Sequence, residues 1–231
     1  MKPEEAKIST SCWSCRAATA GEHFCPACGK IQPLPQGSDY FTFFVLPRKL
    51  RVDAAELERR FHKLSWQLHP DHFVRASERE RELSLERSSQ LNDAYRTLRD
   101  PISRVEYLLA QAGLRKEGQQ KQQAPPELLE EVFELNESLD ELRVARKAGS
   151  SNGELADLRK RLEMEQEKFQ QRMAAVDAEL EDVFDEWDAA LDAGANDALR
   201  SKLMARMNEL LNRRSYIRNL VASVRQELAE A

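Results

Sequence analysis

Glycine and proline are scarce in this chain, and no long apolar run occurs in it. Its 231 residues include only 8 Gly and 9 Pro, while charged residues make up 32%. This composition favours long solvated helices over sheets, so we predict an all-α protein. No stretch approaches the roughly 20 apolar residues that a membrane-spanning helix needs, so we expect no membrane partner.

An excess of positive charge is also lacking, since the net charge is −5. This argues against nonspecific binding to nucleic acid. The first residues, Met1 to Ala6, have neither the apolar segment of a signal peptide nor the Arg-rich, acid-poor composition of a transit peptide. We therefore expect a cytoplasmic protein of a bacterium.

The few cysteines all lie within the first 28 residues, as two C-x-x-C pairs: Cys12, Cys15, Cys25 and Cys28. Two such pairs separated by a short loop fit four thiolates around one tetrahedral Zn²⁺. Gly29 can take a positive φ, which lets backbone N–H groups turn toward the sulfurs. Two disulfides or a redox C-x-x-C are the alternatives. A reducing cytosol disfavours disulfides, and the absence of a βαβ pattern disfavours the redox motif.

We expect this zinc to be structural, because four protein ligands leave no open position for catalysis. His23 could replace one thiolate, but with four cysteines available we do not expect it to be a ligand. Residues 1–38 are too short to bury a core, so metal binding would supply their folding energy. We predict that 31–38 is a linker and that loss of the metal disturbs only residues before about 38.

The tripeptide His69-Pro70-Asp71 follows an amphipathic helical pattern that begins at Asp53, an N-cap residue with Glu56 three positions later. Pro70 ends this helix and leaves His69 and Asp71 in an exposed turn, where functional residues are common. A second helix is predicted after the capping box Ser77-Glu78-Arg79-Glu80 and ends before Asp100-Pro101. The apolar stripes of the two helices comprise Leu57, Phe61, Leu64 and Leu68, then Leu91, Ala94, Tyr95 and Leu98.

Two helices joined by a His-Pro-Asp loop, with Asn92-Asp93-Ala94-Tyr95 on the second, resemble a J-domain, which we place at 39–114. Taken alone, the tripeptide could be only a helix stop, and the basic face of Arg59, Arg60 and Lys63 only a solvated surface. A hydrolase would need a nucleophile motif such as Gly-x-Ser-x-Gly beside the His/Asp pair. The sequence has none nearby, so we do not expect an enzyme.

The C-terminal half is predicted to be a three-helix bundle at 127–231, after a polar linker at 115–126. Helical patterns cover about 127–147, 154–192 and 196–229, and short Gly-containing turns between them force neighbouring helices antiparallel.

The first bundle helix has a complete core stripe of Leu128, Val132, Leu135, Leu139 and Leu142. Leu129 and Phe133 point about a third of a turn away from it. Glu130, Glu134, Glu137 and Glu141 form an acidic ridge beside them. This face is either a protein-docking surface or the solvated edge of a wide core stripe, and periodicity does not decide between the two.

The order of a four-Cys segment, a J-domain and an acidic-faced bundle resembles the HscB family of co-chaperones for iron–sulfur cluster assembly. The four-Cys segment is similar to the form of the family found in mitochondria and some bacteria. The matching motifs are Asp39-Tyr40-Phe41, His69-Pro70-Asp71 with Phe73, Asn92-Asp93-Ala94-Tyr95, Thr97-Leu98, Pro101, Arg104, Tyr107-Leu108-Leu109, Gly113, Glu134-Leu135-Asn136-Glu137 and Leu139-Asp140-Glu141.

This resemblance implies that the J-domain recruits a DnaK/HscA-type chaperone and stimulates its ATPase, while the bundle holds the scaffold protein IscU. The implied chaperone contacts are His69, Pro70, Asp71, Arg59, Arg60 and Lys63. The implied scaffold contacts are Leu129, Phe133, Glu134, Glu137, Glu141 and Tyr216. Glu130 departs from the family, which often has an apolar residue there. The chain itself would hold neither a nucleotide nor an iron–sulfur cluster.

Two rival functions remain. A general J-protein for unfolded clients would need a broad apolar groove, whereas the bundle offers a compact Leu/Phe patch. A zinc-ribbon nucleic-acid binder would need basic and aromatic residues in the Cys segment, where only Arg16, Lys30, Trp13 and Phe24 qualify.

Overall fold

The computed structural model describes residues 10–35, 37–115 and 126–229. Most of these residues are helical, which confirms the predicted all-α class. The helices are α1 (Tyr40–Phe43), α2 (Ala54–Leu68), α3 (Glu78–Arg99), α4 (Pro101–Gln111), α5 (Leu129–Ala148), α6 (Asn152–Asp192) and α7 (Asp197–Ala229). None of these described helices has the length and apolar character needed to cross a bilayer.

A short antiparallel hairpin precedes the helices, with β1 (Thr10–Ser11) paired to β2 (Ala18–Thr19). The chain divides into two compact units between Tyr107 and Leu108. The predicted linker at 115–126 lies mostly outside the described residues.

In the first unit, α2 packs against α3, and α1 packs against α3 as well. The predicted apolar stripes form the core. Leu57 and Leu68 of α2 and Leu91 and Leu98 of α3 are buried, with Phe61 and Tyr95 stacked at 4.1 Å between ring centroids. Three aromatic residues from the α1 region complete this core: Phe41, Phe43 and Phe44.

The predicted helix starts are confirmed by their caps. Asp53 accepts hydrogen bonds from the backbone N–H groups of Ala55 and Glu56. Ser77 and Glu80 form a complete capping box at the start of α3. These side chains satisfy N–H groups that have no partner within the helix, and each such cap typically contributes about 1 kcal/mol.

Several motif residues of the first unit have structural roles. Asp39 caps α1 by accepting a hydrogen bond from the Thr42 N–H at 2.7 Å. The Tyr40 N–H donates to the Tyr107 hydroxyl at 3.0 Å, and the two rings stack at 4.3 Å. Arg104 is buried and donates to the Leu98 carbonyl oxygen at 2.7 Å. These residues therefore hold the ends of α1, α3 and α4 together.

The prediction of a linker at 31–38 is wrong at its start. Ile31 is fully buried in the core of α1–α3, and Phe24 and Leu34 pack against the same core. Phe24 pairs with Ile31 in a β-bridge, and the indole N–H of Trp13 donates to the Ile31 carbonyl oxygen at 2.7 Å. Because the four-Cys segment is too small to bury these side chains by itself, it buries them against the helices.

The second unit contains the three predicted bundle helices, with α6 packed against both α5 and α7. The turn after α5 uses Gly149 in the left-handed conformation, where its N–H bonds to the carbonyls of the last turn. The core includes Leu135 and Leu142 of α5 and Phe169 and Trp187 of α6. From α7 it takes Leu203, Met207, Leu210, Ile217 and Val224.

Candidate functional site

The four cysteine sulfurs converge at one point, with every pair of Sγ atoms within 4.8 Å. The Cys12–Cys28 and Cys15–Cys25 pairs are each 3.7 Å apart. Four thiolates arranged tetrahedrally around a metal with bonds of about 2.3 Å would have sulfurs about 3.8 Å apart. The arrangement is therefore the right size to hold one metal ion.

Two similar backbone turns present these sulfurs. In the first, the N–H of Arg16 donates to the carbonyl of Cys12, and in the second the N–H of Gly29 donates to that of Cys25. Arg16 and Gly29 have φ values of 63° and 72°. The sequence predicts a positive φ at Gly29. It does not indicate one at Arg16, because arginine rarely adopts this conformation. The N–H groups of Ser14 and Cys15 point at Cys12 Sγ, at 3.3 and 3.5 Å.

The thiols differ in acidity. Burial raises the pKa of Cys12, but the N–H groups of Cys15 and Ser14 and the nearby thiols outweigh it and lower the pKa to about 6. The N–H of Lys30 lowers the pKa of Cys28, yet burial and the other three thiols raise it to about 12. A thiolate that forms first therefore disfavours deprotonation of the neighbouring thiols. A bound cation is needed for all four thiols to be ionised at once.

His23 is not part of the sulfur cluster and instead joins it to the helices. Its Nε2–H donates to the Phe43 carbonyl oxygen at 3.0 Å, and its Nδ1 accepts from the Arg87 guanidinium. Burial and then the positive charge of Arg87 lower the pKa of His23 to about 4. Both ring nitrogens are in use, which agrees with the expectation that His23 is not a metal ligand.

The His-Pro-Asp turn lies at the end of α2, where Pro70 opens a 3₁₀ turn that runs to Phe73. The Asp71 N–H donates to His69 Nδ1 at 3.3 Å. The Asp71 carboxylate is 84% exposed. His69 Nδ1 thus contacts the backbone of the turn and lies 3.5 Å from an Asp71 carboxylate oxygen, while most of the carboxylate faces solvent.

The predicted basic face is only partly available. Arg59 and Lys63 are exposed on α2. Arg60 is half-buried, because it pairs with Glu56 at 2.7 Å and donates to the Phe44 and Val45 carbonyl oxygens. Arg60 therefore helps to hold the chain between α1 and α2 in place.

Trp66 is an exposed residue next to this turn that sequence reasoning did not single out. It is 70% exposed and contacts the His72 ring edge-to-face at 4.7 Å. In the sequence, only its position three residues before His69 indicates that Trp66 lies near the turn.

Leu129 and Phe133 of α5 are 54% and 71% exposed. Of the predicted core stripe, Leu128 just before α5 and Leu135, Leu139 and Leu142 on it are buried, and Val132 is half-buried. This confirms that the two side chains point away from the core stripe. Both side chains therefore lie on the exposed surface of α5.

The acidic ridge divides into two parts. Glu137 and Glu141 line a groove between α5 and α6 together with Phe133. Glu134 lies in a separate depression beside Glu131 and Arg172. Glu141 is paired with Arg161 of α6 at 2.9 Å.

The remaining predicted scaffold contacts have different surroundings. Glu130 is exposed. Tyr216 lies half-buried on α7, and burial raises its pKa. Val144, exposed and in the groove, is an apolar residue that periodicity reasoning missed.

Comparisons with known proteins agree on one family, although no family model matches the chain. A co-chaperone protein HscB homolog of Vibrio vulnificus strain YJ016 is 38% identical over 154 residues, which span 67% of this chain and 85% of the relative. The iron–sulfur cluster co-chaperone protein HscB of the mouse is 35% identical over 136 residues, 57% of this chain and 58% of that protein.

Two solved structures are similar. Human co-chaperone protein HscB has a TM-score of 0.61 and 25% identity, with 94% of this chain and 98% of that chain covered. Chaperone HscB from Vibrio cholerae has a TM-score of 0.50 and 28% identity, with 82% and 96% covered. This chain covers most of the length of the Vibrio vulnificus relative. It also covers almost the whole of each of the two solved structures. This chain therefore belongs to the HscB family of co-chaperones.

Proposed function

We propose that this protein stimulates the ATPase of a DnaK/HscA-type chaperone and delivers an IscU-type iron–sulfur scaffold protein to it. The observation that carries the proposal is the exposed His69-Pro70-Asp71 turn between two packed helices, in a chain of the HscB family. The protein would act only as an activator, with no nucleotide and no iron–sulfur cluster of its own.

The turn is built to present one carboxylate. The ring of Pro70 fixes the backbone, and His69 accepts the Asp71 N–H. Asp71 can then form a charge-assisted hydrogen bond with an arginine of the chaperone, worth roughly 1.5–3 kcal/mol. Pro70 and the His69 contact restrict the turn before binding, so less conformational entropy would be lost when a partner binds.

We assign Arg59 and Lys63 to the same contact, since both are exposed on α2, the helix that ends at the turn, although Arg59 also pairs with Glu56 at 2.6 Å. Charges at the rim of an interface mainly steer the encounter, so they would speed association with an acidic chaperone surface. Arg60 remains in the proposal, but its bonds to Glu56 and to the Phe44 carbonyl make its main contribution structural.

The scaffold would dock on the face formed by Leu129 and Phe133 of α5. Exposed apolar side chains beside carboxylates are typical of a docking surface. Glu134 and Glu137 make no ion pair within the described part of the chain, so their charges are available to a partner. Glu141 and Tyr216 complete the proposed set.

We infer that the metal is one structural Zn²⁺ held by Cys12, Cys15, Cys25 and Cys28. The sulfur spacing fits a tetrahedral site, and four ligands leave no position for a substrate. The bound ion would supply folding energy and no reaction chemistry. We place the protein in the bacterial cytoplasm, where reduced thiols remain available for metal.

Single-turnover ATP hydrolysis by a purified DnaK-type chaperone tests the function. We expect this protein to raise the rate, and the IscU-type scaffold to raise it further when both are present. A denatured protein in place of the scaffold should add nothing. Equal stimulation by denatured protein would favour a general J-protein, and no stimulation at all would refute the proposal.

A further inference from the structure

A groove of about 840 Å³ runs between α5 and the first turns of α6. It begins at Phe133, which belongs to the proposed scaffold-binding face, and continues past Val144 to the turn that joins the two helices.

The groove has an apolar strip along α5. Phe133 and Val144 are 71% and 66% exposed. They are eleven positions apart, so at 100° and 1.5 Å per residue they share one helix face and lie about 16 Å apart along the axis. Leu158 adds an apolar wall from α6. The exposed apolar surface is therefore three helical turns long and does not end at Phe133.

Negative charge surrounds this strip. Five carboxylates line the groove against a single guanidinium, that of Arg161, which Glu141 already binds. Asp140 is paired with Arg143 at 3.1 Å. Glu137, Glu154 and Asp157 have no ion-pair partner among the residues that the structure describes. A partner with lysine or arginine beside an apolar side chain complements such a groove.

We propose that the scaffold contact extends from Phe133 along this groove to Val144, and that the scaffold segment lying in it is basic and amphipathic. The inference rests on the proposed scaffold binding, and two features of the groove support it. It shares Phe133 with the Leu129/Phe133 face, and its carboxylates beside an apolar strip complement a basic amphipathic segment. The scaffold would thus cover both helices, with Glu154 and Asp157 of α6 as contacts.

Binding of a purified IscU-type scaffold, measured by calorimetry, tests this inference. Val144→Ala should weaken binding about fivefold. The double variant Glu154→Gln/Asp157→Asn should weaken it about tenfold at low salt and flatten its salt dependence. Met164→Ala and Glu163→Gln are matched controls, because both residues are exposed on α6 outside the groove. The controls should change affinity less than twofold.

The outcomes separate this inference from the proposed function. If Leu129→Ala/Phe133→Ala weakens binding and the groove variants do not, the scaffold docks without using the groove and the inference is wrong. If none of these variants weakens binding, the proposed docking face is wrong as well. Circular dichroism should show unchanged helicity for all of them, since every substituted side chain is at the surface.

A photo-crosslinking amino acid gives an independent readout. Placed at Val144, it should crosslink to the scaffold, and the linked scaffold peptide should contain lysine or arginine. Placed at Met164, it should give no scaffold product. A crosslink from Met164 alone, or a linked peptide rich in acidic residues, would overturn the proposal.

Discussion

His23 donates from Nε2 to the carbonyl oxygen of Phe43 at 3.0 Å, and this bond ties the four-Cys segment to the end of α1. The two rings also meet edge-to-face at 4.9 Å, and the Arg87 guanidinium lies 4.8 Å from the Phe43 ring centroid. Lys30 lies 3.8 Å from Glu80, which caps α3. The four-Cys segment therefore packs into the same unit as α1, α2 and α3.

The sequence alone predicts that metal loss disturbs only residues before about 38, but the burial of Ile31 among α1–α3 means that it should also loosen these helices. With a chelator or in Cys25→Ser, the turns that position His23 and Ile31 lose their support. Burial of one isoleucine contributes about 1.5–3 kcal/mol, so the first unit should lose about that much stability. Hydrogen exchange should become faster at amides of α1 and α3 and stay unchanged in α6. Faster exchange restricted to residues before 38 would contradict this prediction.

A second variant separates metal loss from lost packing. Ile31→Ala keeps all four cysteines, so it should retain one metal ion per chain by atomic spectroscopy. It should still lower stability by about 2–5 kcal/mol, the usual cost of truncating a buried isoleucine to alanine. Val74→Ala is the matched control, because Val74 is also β-branched and lies in the same unit but is 65% exposed, and it should have little effect on stability.

Local sequence signals predicted the helices and the cysteine cluster, because each depends on residues close together in the chain. For example, α3 ends just before Asp100-Pro101, as predicted. Likewise, α2 begins directly after its predicted cap, Asp53. The positive φ of Gly29 is another. Caps, proline and glycine act on their own neighbours, so no tertiary information is needed.

Roles that depend on distant residues could not be predicted in the same way. Ile31 follows a cysteine pair and precedes prolines, which indicates a linker, yet its burial depends on helices that come later in the chain. Arg60 has the spacing of a surface residue but binds the carbonyl oxygens of Phe44 and Val45. Val144 lies outside the predicted apolar stripe, and only the packing of α6 against α5 makes it the wall of a groove.

Substitutions in the His-Pro-Asp turn should separate activation from folding. His69→Gln or Asp71→Ala should abolish stimulation of the chaperone's ATPase, because the carboxylate contact or the turn that presents it is lost. Helicity and scaffold affinity should stay as in the wild type, since both side chains are exposed. Glu58→Ala, an exposed acid on α2, is the control and should retain stimulation. Normal stimulation by either turn variant would exclude the assigned role.

The stability of the bundle should depend on Glu227 at acid pH. Hydrogen bonds from Arg143, followed by the charges of Arg143 and Arg146, outweigh burial and lower the pKa of Glu227 below its usual value of 4.5. This carboxylate therefore stabilises the fold above about pH 4.5, and the contribution is lost as the pH falls through its lowered pKa.

Glu227→Gln should thus cost roughly 0.5–1 kcal/mol at pH 7, because the pair remains close to solvent. The difference between variant and wild type should vanish at strongly acid pH, where the wild-type carboxyl is protonated. Urea unfolding followed by circular dichroism at the two pH values measures this. A difference that persists undiminished in acid would mean that packing, and not charge, accounts for the effect.

The Leu129/Phe133 face should matter for binding and hardly at all for folding. Both side chains are exposed, so Leu129→Ala/Phe133→Ala should change stability by no more than the ~0.5 kcal/mol typical of surface positions. Apolar anchors at the centre of an interface usually contribute about 2 kcal/mol or more each, so affinity for the IscU-type scaffold should fall well over tenfold. Leu85→Ala, at a 61% exposed position on α3, is the matched control and should bind normally. A variant with a much lower Tm but unchanged affinity per folded molecule would place these side chains in the core, and the docking surface would then have to lie elsewhere on the bundle.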